Sequence, residues 1–586
     1  MLYRPGFWFG LLLLALGVQA EEAPIRYRVR FSGVTDRQLL RDLRAASVMI
    51  DLADRPPLSE IQLRRRAERD PPRFQTVLRG HGFYDARIDT QFDLDRRRPR
   101  VRFVIEPGEP YTLRRIQVLS PDGAPLGLTP EQGGLIPGEI ARTQAILGAS
   151  ELWLRALRDA GHPFPQSVDR EVRILHADRA VDIRFTLDPG PVHRVGPTTF
   201  SGLSRVEERF LRRKLPWEEG DLYEGAQIRL ARRRFAEADL FNSIRVFALP
   251  PEAEADPVPI LVELQERNPR SITLGVGYSN DEGWRARAGW VHRNLLRRGE
   301  RLSLDGQISE QGDSGEIAFR RPDFRRLDQA LILSARQSTE DTRAFFSRKT
   351  ETLARVERPL GNDWRGSAGV GARTANVEDA RQRERYRLLY LPLFAEQDRS
   401  DDLLDPRRGH RFSVGGAPYW DPWNEDLFFF KTRITYTQYL TLSRRREIDW
   451  AGRAAYAVAA GVSRDQIPAD ERLYAGGGGT LRGYRFQTVG PLEDGQPVGG
   501  RSMILLSQEI RWRMTSTLGL TTFVDGGTVT EEAVFDGDVD EFRWGAGIGL
   551  RYFTPVGPLR ADLAFPINRR DIDSPWQVYI SLGQAF

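Results

Sequence analysis

No cysteine occurs among the 586 residues. That absence excludes disulfides, thiolate metal sites and Cys nucleophiles. Lysine is almost as scarce: Lys214, Lys349 and Lys431 are the only three among 86 basic residues. Arg supplies the rest, spread along the chain and interleaved with acids, which a genome-wide codon bias accounts for. No basic patch with interleaved aromatics marks a nucleic-acid partner. The six His residues form no ligand-spaced cluster, and neither a His-Glu-x-x-His nor a phosphate-loop pattern occurs. The sequence therefore predicts no enzyme activity, no metal and no cofactor. Long apolar runs are missing as well, since nothing after residue 20 approaches the ~20 residues of a membrane-spanning helix.

The chain opens on Arg4, an apolar run over 7–16 and the small-residue stretch Val18-Gln19-Ala20 ahead of Glu21. A basic start, a short apolar core and a small-residue site predict a secretory signal peptide over 1–20. Hydrophobic residues make up 40% and charged residues 28%. Such an average suits soluble domains, and it equally suits a transmembrane β-barrel, whose strands alternate between lipid and lumen.

Residues 24–266 carry a loose repeat with units over 24–109, 110–190 and 191–266. The first starts on the strand-like Ile25-Arg26-Tyr27-Arg28-Val29-Arg30-Phe31 and closes on Val101-Arg102-Phe103-Val104-Ile105 before Pro107-Gly108. The second closes on Val181-Asp182-Ile183-Arg184-Phe185 before Pro189-Gly190, and the third on Ile260-Leu261-Val262-Glu263-Leu264. Each reads as strand, helix, helix, strand, strand, the self-similarity of a modular array. The alternating closing strands predict sheets with one face on helices and one on water.

Beyond residue 267 the helical pattern ends. Ile272, Leu274, Val276 and Tyr278 share one strand face, with Gly275, Gly277 and hydroxyl residues on the other. Trp544, Ala546, Ile548, Leu550 and Tyr552 do the same opposite Arg543, Gly545, Gly547, Gly549 and Arg551. A soluble sandwich has similar periodicity. Aromatics at strand ends (Trp284, Trp290, Trp512, Tyr552, Trp576) favour a membrane barrel with interfacial girdles over 267–586. At roughly 20 residues per strand with its connection, that length holds about sixteen strands. The fold class expected is α+β modules followed by a transmembrane β-barrel.

Two segments bear on mechanism. Gly476-Gly477-Gly478-Gly479 leads into Thr480-Leu481-Arg482-Gly483-Tyr484, a glycine run that frees the backbone to place one Arg on a tight turn. In Thr522-Phe523-Val524-Asp525-Gly526, strand parity puts Thr522 and Val524 outward and Phe523 and Asp525 inward. Gly312-Asp313-Ser314-Gly315 looks like a serine-hydrolase nucleophile segment, but its position between two alternating strands predicts a hairpin turn. Asp401-Asp402-Leu403-Leu404-Asp405-Pro406-Arg407-Arg408-Gly409 reads as a turn rich in Asp, Pro and Gly.

Leu481-Arg482-Gly483-Tyr484-Arg485-Phe486 resembles the inward-folded loop motif of the outer-membrane assembly superfamily that includes BamA, TamA and the two-partner secretion transporters. The repeat resembles POTRA modules, so the resemblance covers nearly all of the chain after residue 24. It implies that Arg482 meets Asp525 in the lumen, with Phe523 and Gly526 as further partners of the loop. It also implies an outer-membrane location with the modules in the periplasm. The apolar face Trp576, Val578, Ile580, Leu582 and Phe586 resembles the outer-membrane β-signal, with Gln584 as a departure from it. A seam is then expected where Ile272, Leu274, Gly275 and Gly277 meet Leu582, Gly583 and Phe586. Three modules resemble the TamA branch. That branch implies β-barrel and autotransporter assembly from unfolded clients, among outer-membrane lipids, with a TamB-like partner anchored in the inner membrane. A two-partner secretion pore and a BamA-like general insertase remain the alternatives.

Overall fold

A computed structural model of the protein describes residues 24–586, apart from 96–98, 252–256, 280–282, 536, 538, 555–556, 583 and 585. The signal peptide expected over 1–20 and the seam residue Gly583 lie outside the described residues. By contact the chain divides into two compact units. One is Met1–Thr199 with Pro216–Leu230 and Val246–Leu261; the other is Phe200–Leu215 with Ala231–Arg245 and Val262–Phe586.

The first module contains β1 (Arg28–Ser32), α1 (Arg37–Ala46), α2 (Val48–Asp51), α3 (Glu60–Ala67), α4 (Asp70–Gly80), β2 (Arg87–Asp93) and β3 (Arg100–Glu106). Its sheet has the order β1-β3-β2, with β1 parallel to β3. Val101, Phe103 and Ile105 alternate along β3 and are buried against Leu39, Leu43, Phe74 and Leu78. That burial of one strand face supplies the driving force the alternation predicted.

The second module is β4 (Thr112–Leu119), α5 (Thr143–Asp159), β5 (Gln166–Leu175) and β6 (Ala180–Asp188), in the order β4-β6-β5. Its first expected helix is absent. Pro121, Pro125, Pro130 and Pro137, with glycines between them, remove helical N–H donors and leave one 3₁₀ turn, Glu131–Gly133. The third module is β7 (Val195–Ser201), α6 (Glu208–Arg212), α7 (Gly225–Glu237), β8 (Phe241–Ala248) and β9 (Val258–Glu266), in the order β7-β9-β8. All three sheets thus place the closing strand in the middle.

The wall begins with β10 (Arg270–Ser279), β11 (Gly283–His292), β12 (Arg301–Ser309), β13 (Gly312–Arg321), β14 (Ala330–Asp341), β15 (Phe346–Gly361) and β16 (Trp364–Glu378). It continues through β17 (Arg383–Tyr390), β18 (Leu393–Asp398), β19 (Gly409–Asp421), β20 (Asn424–Ser443) and β21 (Ile448–Ala460). A long loop with the small hairpin β22 (Leu492–Glu493) and β23 (Gln496–Pro497) follows. β24 (Ser502–Arg513), β25 (Leu518–Thr530), β26 (Arg543–Thr554), β27 (Gly557–Pro566) and β28 (Gln577–Leu582) complete it.

Both β17 and β18 pair with β16 and with β19. They are one wall strand interrupted at Leu391-Pro392, where proline has no N–H for the ladder. Counted this way, sixteen antiparallel strands close the barrel. Ile272, Leu274, Val276, Ile548, Leu550 and Tyr552 face outward and are exposed. Inward positions hold Arg, Asp, Glu and Gly, the inverse of a soluble core. The Gly312 segment is not the turn: Glu310 and Gln311 turn the chain, and Ser314 pairs with Gln307 and Ser338 inside the sheet.

Candidate functional site

The loop over 461–501 leaves the end of the barrel opposite the start of β10 and folds back into the lumen. Leu473, Ala475, Leu481, Tyr484 and Val489 pack there against Ala455, Ala457, Met503, Leu505 and Val529. Gly476 turns the chain with φ +110°, and the Thr480 hydroxyl closes that turn by donating to the Gly476 carbonyl at 2.9 Å. Gly483 has φ +99° and passes so close to Phe565 that an added Cβ would lie 3.0 Å from its carbonyl carbon. Only glycine combines that torsion with that approach.

Between these glycines Arg482 is delivered to the wall, 2% exposed. Its Nε donates to Asp525 Oδ2 at 2.7 Å and its Nη2 to Asp525 Oδ1 at 2.9 Å, a bidentate pair. Nη1 donates to Glu509 Oε1 at 2.7 Å and to Asp562 Oδ2 at 3.1 Å. The guanidinium lies 3.5 Å from the centroid of the Phe523 ring, which adds a cation–π contact. Arg511 pairs with Glu509 at 2.8 Å, and Arg551 pairs with Asp562. Each carboxylate therefore meets at least one guanidinium, which offsets the cost of burying charge.

The flanking motif residues hold the turn. Gly483 N–H donates to the Tyr579 hydroxyl at 3.2 Å, and that hydroxyl donates to the Tyr484 carbonyl at 3.2 Å. The Tyr484 hydroxyl donates to the Trp544 carbonyl at 3.1 Å. Leu481 and Tyr484 are fully buried. A second anchor grips the other side of the loop. Asp470 and Glu471 meet Arg373, Lys431 pairs with Glu471 at 2.8 Å, and the Ser347 hydroxyl donates to Asp470 at 2.9 Å.

The structure thus brings Leu481, Arg482, Gly483, Tyr484, Phe523 and Asp525 together. Gly526 is different: being one residue from Asp525, it takes the opposite face, where an added Cβ would overlap the outward Trp544 ring. Glu509, Asp562, Tyr579 and the Asp470–Glu471 anchor escaped the sequence reading. Glu509 and Asp562 do lie on the charged face of their strands, but pairing them with Arg482 needs the register of four strands.

At the seam, β10 pairs with β28 through Tyr278↔Ile580 and Ser279↔Tyr579 alone among the described residues. β27 pairs with β28 over six positions, and β10 with β11 over ten. Ile272, Leu274, Gly275 and Gly277 lie on β10 below that short contact, and Leu582 pairs instead with Leu559 of β27. Phe586 does not extend the outward apolar face. Its ring lies 5.1 Å from the Arg453 guanidinium and 5.3 Å from that of Arg511, both lumenal, and Gln584 hydrogen-bonds Arg551 and Asp405. Cation–π attraction and partly buried hydrogen bonds hold this segment inward.

Comparison with known proteins agrees with the geometry. Residues 294–586 match the Omp85 superfamily domain, and residues 193–267 match the surface antigen variable number repeat, a POTRA model. "Outer membrane protein assembly factor BamA" of Nitratidesulfovibrio vulgaris is 23% identical over 543 residues, covering 89% of this chain and 68% of that protein. Its counterpart from Neisseria meningitidis serogroup B is 20% identical, covering 88% and 72%. The solved structure of BamA from Haemophilus ducreyi lacking POTRA domains 1-3 superposes with a TM-score of 0.66 at 20% identity, covering 80% of this chain and 99% of that one. With half of its length matched by the family model and its barrel and modules arranged accordingly, the chain belongs to the Omp85 superfamily, as an outer-membrane β-barrel with periplasmic POTRA modules.

Proposed function

We propose that the chain assembles β-barrel proteins into the outer membrane by templating client strands at its seam. The observation that carries this is the two-residue pairing of β10 with β28. Below Tyr278 the β10 edge has no partner on that side among the described residues, and an unpaired edge recruits another strand by main-chain hydrogen bonding. Within lipid an unsatisfied backbone group costs several kcal/mol, so a client strand gains by pairing there before it closes on itself. Folding of the client supplies the driving force, and the reading needs no catalytic residue, cofactor or nucleotide.

The absence of cysteine gives a clean test. In a chain carrying Tyr278→Cys and Ile580→Cys, oxidation locks the seam at one of its two described residue pairs. In cells depleted of the native copy, oxidised protein is expected to stop delivering barrel clients to the outer membrane, with recovery on reduction. Client assembly that continues with the seam locked would sink the proposal.

Within that function, three modules favour a TamA-type factor serving autotransporters and other unfolded clients with a TamB-like inner-membrane partner. The relatives named BamA favour a general insertase. Affinity capture from outer membranes separates the two: a TamB-like protein supports the first, and Bam lipoproteins the second. A two-partner secretion pore predicts instead a conducting lumen and one dedicated substrate.

A further inference from the structure

A cavity of about 400 Å³ lies where the third module joins the barrel. Its walls come from the approach to α6 (Ser204, Arg205), the end of α7 (Asp239), the β9–β10 linker (Glu266, Arg267) and the β11–β12 turn (His292, Arg293, Arg297). Four guanidinium groups face it against two carboxylates, and both carboxylates are already committed. Glu266 accepts from the N–H groups of Ser204, Arg205 and Val206 at 2.8–2.9 Å and from the Ser204 hydroxyl at 2.9 Å. Asp239 accepts from Arg267 at 2.5 Å and from Arg293 at 2.9 Å. Arg205 reaches Glu266 at 3.3 Å through Nε, and Arg297 reaches a carbonyl, that of Ser204, at 3.3 Å. Cationic capacity is therefore left over inside a concave site.

Its position in the membrane narrows the ligand. His292 ends a wall strand, and the outward Trp290 lies above it, with ring centroids 6.2 Å apart. Trp at this level marks the edge of the bilayer. The same turn exposes Leu295 and Leu296, 40% and 58% accessible, next to Arg297 and Arg298. Exposed apolar residues beside arginines at a strand end fit a segment that dips into acyl chains while its cations meet headgroups. Arg, with its planar fork of donors, matches phosphate oxygens.

From this geometry we infer that the joint cavity binds the phosphate group of a phospholipid in the periplasmic leaflet. The headgroup would bridge Arg205 of the module to Arg293 and Arg297 of the barrel turn, tethering the base of β10. This inference does not rest on the assembly function proposed above.

The test uses the full chain in a non-ionic detergent, examined by native mass spectrometry with short-chain phosphatidylglycerol, with phosphatidylcholine or with sodium phosphate. Arg205→Gln with Arg297→Gln removes the two least committed cations. Arg444→Gln with Arg445→Gln, on the exposed β20–β21 turn, makes the same change in net charge elsewhere. Unchanged heat-modifiable migration on gels establishes that each barrel is folded. Losing two charge-assisted bonds is expected to weaken phosphatidylglycerol retention by at least about tenfold, with the control pair matching the unmodified chain. Equal retention by Arg205→Gln/Arg297→Gln and the unmodified chain would overturn the site. Sodium phosphate binding that is lost in that variant, without lipid retention in any form, would keep the phosphate site and overturn the lipid as its source.

Discussion

The carbonyl oxygen of Arg482 occupies the space that a Cβ on Gly545 would fill. Gly545 is the cross-strand neighbour of Asp525, so the wall leaves out a side chain at the point where the loop backbone crosses to reach that acid. Gly545→Ala is expected to push the loop off the wall and to separate Arg482 from Asp525. Breaking a buried pair costs about 3–5 kcal/mol, so the variant's barrel should unfold at a lower temperature on semi-native gels. Protease added from the cell surface should also cut within 461–501, where the unmodified chain is expected to resist. A variant with unchanged melting and an uncut loop would show that the backbone has another route.

Arg482 itself separates placement from charge. Glu509 keeps Arg511 and Asp562 keeps Arg551 when Arg482 is removed, but Asp525 loses its ion-pair partner. Arg482→Ala should therefore destabilise the barrel by about 3–5 kcal/mol, mostly through the stranded Asp525. Adding Asp525→Asn should recover a large part of that loss, because a neutral amide is far cheaper to bury than an unpaired carboxylate. Arg482→Lys should fail to replace Arg, since one ammonium cannot reproduce the bidentate fork while meeting Glu509 and Asp562. Denaturant unfolding of the four chains in one detergent checks all three expectations. If the double variant were no more stable than Arg482→Ala, Asp525 would not be the source of the cost.

Alternation made the barrel legible, because a period of two along Ile272–Tyr278 and Trp544–Tyr552 is a local property of the chain. Parity also gave Asp525 its lumenal side. The same rule places Gly526 outward, and grouping it with the loop partners overrode the rule. Glu509 and Asp562 were hidden for a different reason: alternation gives the face of a strand but not its height against strands further round the wall. Lys349, Lys431 and Arg373 meet the loop acids Asp470 and Glu471 across at least 40 positions of sequence, which no local pattern encodes. Phe586 was misplaced because an apolar face extrapolated through Gln584 ignores the attraction of an aromatic ring for the lumenal guanidiniums of Arg453 and Arg511.

Glu266 predicts an acid-sensitive joint. Burial raises its pKa, but the N–H groups of Ser204, Arg205 and Val206 and the Ser204 hydroxyl outweigh that and bring it down to about 2. A carboxylate depressed in the folded state stabilises it above its unfolded pKa and loses that contribution as pH falls through the folded value. The Ser204–Val206 segment should accordingly hold from neutral pH to about 4.3 and loosen progressively below that. Hydrogen exchange at these three amides, corrected for intrinsic rates, reads the effect directly. Glu266→Gln should exchange faster at neutral pH and show no further change across the acid window. Protection in the unmodified chain that stays constant down to pH 2 would contradict this account.

Lys214 holds α6 of the third module to the β13–β14 turn through a pair shielded from water. Its ammonium lies 2.7 Å from Asp323, the two side chains are 7% and 3% exposed, and the Phe210 ring covers the cation at 5.0 Å. Asp323 also anchors its own turn, accepting from Asp328 N–H at 3.0 Å with its backbone at φ +50°. Lys214→Ala leaves that carboxylate buried and unpaired, at an expected cost of about 3–5 kcal/mol to this contact. Lys214→Met with Asp323→Asn should restore most of it, because Asn tolerates the left-handed torsion and keeps an acceptor for Asp328 while the charge is gone. Hydrogen exchange across 208–214 and 322–329 should rise in the single variant and return towards the unmodified level in the double. Equal exchange in all three chains would mean that the Phe210 packing, rather than the ion pair, fixes the module to the barrel.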